Sequence, residues 1–193
     1  MCGRYYIDDG AFREIEKITR KIDSKIKKER GDIFPSQAAV ILTGKEQKLS
    51  ADEMFWGFPQ YNRKGLLINA RAETVLEKRT FRDSMLHRRC VIPASRFYEW
   101  DSGKNKATFM RPDSSVIYIA GFYNCFQNEE RFIILTTQAN ASVVKVHGRM
   151  PLILEENELE NWVYDEKYFE FALRKTPAQL KSFREYEQQS LFE

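Results

Sequence analysis

"SVIYIAGFYNCFQNEERFIILTTQA" (Ser115–Ala139) decides what kind of fold this chain can make. Two runs dense in β-branched and aromatic residues flank the polar "QNEE" (127–130). Neither run repeats its apolar residues at helical steps, so the stretch reads as two strands joined by a turn. Upstream, "CVIPA" (90–94), "RFYEW" (96–100) and "KATFMRP" (106–112) have the same character, punctuated by "DSGKN" and "RPDSS". Further upstream, "AAVIL" (38–42) is a strand and "TGKEQ" (43–47) a turn. "KLSADEMFWG" (48–57) and "GLLIN" (65–69) continue the β pattern, and "MPLIL" (150–154) is the last clear strand.

Helical spacing is confined to the flanks. Residues 11–30, "AFREIEKITRKIDSKIKKER", place Phe12, Ile15, Ile18, Ile22 and Ile26 at steps of three and four. This predicts an amphipathic helix that Asp8 or Asp9 caps and Gly31 ends. "AETVLEKRTFRDSML" (72–86), "EENELENWV" (155–163) and "EKYFEFALRK" (166–175) also read as helical, and "NASVVKV" (140–146) as a helical turn. Strict βαβ alternation is absent, which argues against a doubly wound parallel sheet. The expected fold is α+β: a mostly antiparallel sheet curled into a barrel-like core, with peripheral helices. Residues 1–193 read as a single domain, with a polar, weakly periodic tail from Thr176 onward.

Composition narrows the function classes. Hydrophobic residues make up 42% of the chain and aromatics 13%, enough for a core. No apolar run approaches eighteen residues and the start lacks a signal-peptide pattern, so the expectation is a cytoplasmic protein with no membrane partner. Cysteines fall at 2, 90 and 125, an odd number without a CxxC pair, and there are two histidines. That predicts no disulfide framework, no metal centre and no cofactor. Cys90 and Cys125 read as small buried hydrophobes. Net charge is +3, which permits an acidic polymer as partner without requiring one. The basic run Lys17–Arg30 reads as a solvated helix face.

Five stretches carry candidate chemistry. In "MCGRYY" (1–6), loss of Met1 would leave Cys2 with a thiol and a free α-amine on adjacent carbons. Such a 1,2-aminothiol captures an aldehyde twice, first as an imine and then as a thiazolidine ring. Arg4 nearby would favour the thiolate. A second-position cysteine also arises by chance. "LLINARAET" (66–74) ends a strand in Asn69, followed by Arg71 and Glu73. The amide can orient a substrate group and the guanidinium can grip a phosphate; the plainer reading is a strand-to-helix turn with a surface ion pair. In "SRFYEW" (95–100), alternation puts Phe97 and Glu99 on one face and Tyr98 and Trp100 on the other. A half-buried Glu99 would have a raised pKa suited to proton transfer, against an ion-paired surface glutamate. "VHGRMPL" (146–152) offers His147 as acid or base, followed by Arg149, against a structural histidine. "FPSQ" (34–37) and "FWGF" (55–58) offer Pro35 and Trp56 as surfaces for bases, against core packing.

Taken in order, "MCGRY", Pro35, "FWGF", "INARAET", "FYEW" and "HGRMP" resemble the SRAP family of abasic-site processing proteins over about the first 150 residues. The resemblance implies single-stranded DNA carrying abasic sites as the substrate and a covalent crosslink through Cys2; the chain is expected to be a monomer. It implies that Glu99 moves protons at the amine and carbinolamine. It implies that His147 assists sugar ring opening and reversal, and that Asn69 holds the Cys2 backbone or the lesion. Arg4, Arg71 and Arg149 would bind flanking phosphates, with Trp56 and Pro35 against the neighbouring bases. Self-removal of Met1 and a lyase side reaction are further implications. Two features depart from the pattern: "GDIFP" (31–35) lacks the family's usual asparagine, and the end "FREYEQQSLFE" lacks its usual C-terminal segment. Two other classes remain in play. One is an N-terminal-cysteine glutamine amidotransferase, which also begins "MCG". The other is a non-catalytic single-strand binder, for which Cys2 would be dispensable.

Overall fold

The structure is a computed structural model that describes residues 2–20, 22–61 and 63–184. Strand β1 (Tyr5–Ile7) leads into helix α1 (Asp9–Thr19), whose start is capped by Asp8: its Oδ1 accepts the Ala11 N–H at 3.1 Å. The helix stops eleven residues short of the predicted Gly31. Arg20 closes it with a left-handed φ of 61°. Ile22 and Ile26 still pack inward, so their spacing reports packing rather than helix. At Asp23 the side chain takes the Lys25 N–H at 2.9 Å, a local bond that competes with the helical ladder. Gly31 instead opens strand β2 (Gly31–Ile33).

A long hairpin follows, β3 (Ala38–Lys45) and β4 (Lys48–Trp56), turned by Glu46 and Gln47 with φ of 47° and 59°. Short strands β5 (Phe58–Pro59) and β6 (Leu66–Leu67) pair with each other, and β7 (Asn69–Arg71) ends this region. The helical stretch predicted over 72–86 breaks into a 3-10 turn at Ala72–Thr74 and helix α2 (Arg79–His87). Then come β8 (Arg89–Ala94), β9 (Arg96–Trp100), β10 (Lys106–Met110), β11 (Ile117–Phe126) and β12 (Glu129–Gln138). The opening quotation is the β11–β12 hairpin, turned tightly by Gln127 and Asn128 at φ of 51° and 68°. Residues 141–146 form turns. "MPLIL" divides into β13 (Arg149–Pro151) and β14 (Ile153–Leu154), followed by α3 (Leu159–Tyr164) and α4 (Tyr168–Ala172). Strand β15 (Lys181–Arg184) gives part of the tail a defined place; residues 185–193 lie outside the described residues.

Pairings β12–β4, β4–β3, β3–β8, β8–β11 and β11–β12 form a closed five-stranded ring. All are antiparallel except β4–β12, so the α+β expectation with a curled, mostly antiparallel core holds. Closure requires a glycine on β11. A Cβ at Gly121 would strike Ile92 and lie 2.5 Å from the Ile133 carbonyl oxygen. Beside the ring lies an antiparallel sheet in the order β15-β10-β9-β1-β2. Its inner face carries Tyr5, Ile7, Phe97, Glu99, Ala107 and Phe109, all buried. Helices α3 and α4 are fastened to the ring by buried Arg89. Its guanidinium donates to the carbonyls of Trp162 (2.6 Å), Leu86 (2.6 Å) and Val163 (3.2 Å) and stacks 4.7 Å over Phe169.

Candidate functional site

Four chain segments far apart in sequence converge where the ring meets the five-stranded sheet. Cys2 precedes β1 and is fully buried. Its carbonyl accepts the Asn69 amide N–H at 2.8 Å, and its Sγ donates to the Arg4 carbonyl at 3.6 Å. Asn69 is placed by β7, which runs parallel to β12 with Asn69 opposite Ile134. The residue before it is pinned by Trp56, whose indole N–H donates to the Ile68 carbonyl at 3.0 Å. The buried Asn69 Oδ1 has no hydrogen-bond partner among the described residues.

Glu99 enters from β9, opposite Ala107, and is 2% exposed. Burial raises its pKa, and the charge of His147 works against that rise. The Cys2 thiol is pushed up to about 12, first by burial and then by the Glu99 charge. Burial outweighs the pull toward the thiolate expected from Arg4, whose backbone contact lowers this pKa only in part. The Arg4 guanidinium turns away into a box of Phe34 (4.9 Å), Trp100 (4.9 Å) and Tyr98 (5.5 Å) and pairs with Asp32 at 3.4 Å. His147 Nδ1 lies 3.0 Å from the Arg149 backbone nitrogen and 3.1 Å from the Arg149 carbonyl oxygen, so the backbone of Arg149 fixes this edge of the ring. Arg149 itself grips both oxygens of Glu73, at 2.7 and 2.8 Å, and the Thr136 carbonyl at 2.6 Å. That carboxylate is held below its usual range by the hydrogen bonds from Arg149.

The structure therefore bonds Asn69 to the Cys2 backbone and sets Glu99 close enough to both the Cys2 thiol and His147 for their charges to interact. It places the DNA-facing set differently from expectation. Trp56 is fully buried, 5.3 Å from Tyr5 and stacked 6.1 Å from Phe132, so it packs the core. Alternation on β4 decides this, since Trp56 points inward and Phe55 outward. Pro35 is half-exposed, Arg71 is exposed, and Arg4 and Arg149 already hold carboxylates. Alternation on β9 is as read: Phe97 and Glu99 face in, and Tyr98 reaches Asp32 through its hydroxyl at 3.0 Å. Cys90 is buried, whereas Cys125 is exposed near the hairpin end, a correction to the apolar reading of "GFYNCFQ". The basic run Lys17–Arg30 is locally neutralised in part: Lys17 pairs with Glu14, Lys28 with Glu16 and Arg30 with Asp9. Asp32, Phe34, Glu73 and Thr136 were not singled out by sequence reasoning as functional. Only Glu73 carried a signal, its place in "NARAET". Met1 lies outside the described residues.

Comparison with known proteins gives the family. The chain is 28% identical over 179 residues to the abasic site processing protein YedK of Escherichia coli, covering 86% of this chain and 81% of that one. It is 30% identical over 185 residues to the abasic site processing protein YoaM of Bacillus subtilis, covering 84% and 79%. Among solved structures, a Bacteroides thetaiotaomicron protein superposes with a TM-score of 0.80 at 20% identity, covering 95% of this chain and 91% of that one, a likeness of fold. The family model "SOS response associated peptidase (SRAP)" matches residues 1–189, and the chain belongs to that family.

Proposed function

We propose that this protein processes abasic sites in single-stranded DNA, capturing the ring-opened sugar through Cys2 once Met1 is removed. The observation that carries the reading is the Asn69–Cys2 carbonyl bond, which fixes the backbone of Cys2 beside the raised-pKa carboxyl of Glu99. The relatives' names, abasic site processing protein, support the substrate.

The chemistry follows from those pKa directions. The Cys2 amine adds to the sugar aldehyde at C1′ and gives a carbinolamine. Glu99, protonated more readily than an ordinary glutamate, passes its proton to the departing hydroxyl, which leaves as water. The resulting carboxylate then takes the proton of the Cys2 thiol, which is held protonated at neutral pH. Sulfur closes on C1′, so aldehyde and aminothiol become thiazolidine and one water. A carboxyl with a raised pKa suits both halves of this exchange. His147 gives a ring proton to the sugar ring oxygen for opening, and takes it back on reversal. Arg4, Arg71 and Arg149 hold the flanking phosphates, with Phe34 and Pro35 rather than Trp56 against the neighbouring bases. An iminium at C1′ also acidifies the C2′ proton, which accounts for a lyase side reaction. Met1 removal by the same residues fits the peptidase in the family's description.

The test is a denaturing gel of the Met1-free protein with an oligonucleotide carrying one abasic site. A heat-stable shifted band is expected with the single strand, absent in Cys2→Ala and weak with duplex. Unshifted DNA with Met1 removal and an unmodified Cys2 confirmed by mass spectrometry overturns the reading.

A further inference from the structure

Arg4 is proposed above as a phosphate ligand, yet its charge is already engaged. Its Nη1 lies 3.4 Å from Asp32 Oδ2, and the two side chains are 29% and 31% exposed. Asp32 is fixed from the other side by the Tyr98 hydroxyl, which donates to Oδ1 at 3.0 Å. Tyr98 is in turn held by Arg96, whose Nε donates to the same hydroxyl at 3.2 Å while its guanidinium lies 3.8 Å from the Tyr6 ring. The register of β1 and β2 puts Asp32 opposite Tyr6, so the carboxylate cannot swing clear without breaking these contacts.

We infer that Asp32 is a specificity-determining residue: a fixed internal carboxylate that weakens the non-covalent grip of Arg4 on DNA phosphate. The inference rests on the proposed function. A phosphate that approaches Arg4 meets a like charge beside it, and the Arg4–Asp32 attraction must be shared or surrendered. The aromatic box of Phe34, Tyr98 and Trp100 keeps the guanidinium in place while this happens. Intact strands are then released readily, and retention is left to the covalent bond that forms only at a lesion. Asp32 thereby widens the ratio between lesion-bearing and intact DNA.

The experiment uses single-stranded oligonucleotides without an abasic site, followed by fluorescence anisotropy, so it needs no crosslinking chemistry. Asp32→Asn keeps an oxygen for the Tyr98 hydroxyl and removes the charge. It is expected to bind intact strand about three- to tenfold more tightly at low salt, with a steeper loss of affinity as salt rises. Thermal denaturation confirms that the variant is folded. The gain is expected to vanish in an Arg4→Gln background, because it acts through Arg4. Asp32→Ser, with a smaller neutral side chain, is the second variant should Asp32→Asn fold poorly. Unchanged or weaker binding by a folded neutral variant, or a gain that persists without Arg4, overturns the inference while leaving the crosslinking test intact. Failure of the wild-type protein to bind single strands at all counts instead against the proposed function.

Discussion

At the scale of single residues, burial governs the chemistry of Cys2. Its thiol stays protonated in the folded chain until about pH 12. In the unfolded chain it gives up its proton near pH 8.5. The folded state therefore binds the extra proton, and stability is full below the unfolded pKa and lost as pH rises toward the folded one. Cys90 and Tyr5 are raised in the same direction by burial. Urea unfolding is expected to show stability falling above pH 8.5, with Cys2 alone accounting for up to about 1.4 kcal/mol per pH unit. Cys2→Ala should flatten part of that slope between pH 8.5 and 10; parallel curves for the two proteins would exclude the shift. The same burial makes the thiol a poor free nucleophile, which is why the proposed mechanism needs a proton carrier such as Glu99.

At the scale of elements, Arg89 ties the C-terminal helices to the barrel. It sits at the start of β8, and its guanidinium serves carbonyls at the end of α2 and on α3. The Trp162 indole returns a bond to the Cys90 carbonyl at 2.9 Å. Arg89→Ala leaves several buried carbonyls without donors and opens a void against Phe169, a loss of about 3 kcal/mol. Chemical denaturation checks the magnitude. Limited proteolysis is expected to cut first near α3 and α4, and uniform protection would argue against their dependence on Arg89. Sequence spacing made these helices legible but gave no hint of what fastens them. A buried arginine reads as a surface cation until its carbonyl partners are known.

At the scale of the whole molecule, closure of the ring places the site. Strand β12 pairs with β4 at Arg131–Phe132 and with β7 at Ile134–Thr136, so one edge holds both Trp56 and Asn69. Where β11 and β12 part company, Leu152 bridges them: its N–H donates to Leu135 and its carbonyl accepts from Ala120, at 2.9 and 2.8 Å. Gly121→Val forces a side chain into Ile92 and the Ile133 carbonyl. Overpacking of this kind costs about 3 kcal/mol or more. It also displaces β12 and with it Asn69, so both the urea midpoint and the yield of crosslinked DNA are expected to fall together. A normal yield in a folded Gly121→Val protein would show that the site tolerates strain in the ring.

Alternation and turn chemistry were enough to give most strands, the antiparallel preference and the inward face of β9, because these depend on neighbours in the chain. The residues around Cys2 and Glu99 were legible as motifs: Asn69 in "NAR", Glu99 in "FYEW" and His147 in "HGRMP". What their meeting does was not. The shortened α1, the burial of Trp56, the exposure of Cys125 and the direction of the Cys2 pKa were decided by tertiary packing. So was the capture of Arg4 by Asp32 and of Arg149 by Glu73, pairs separated by 28 and 76 residues. Local sequence sets which way a side chain points relative to its own strand. Only the closed barrel sets what dielectric and which charges it meets there.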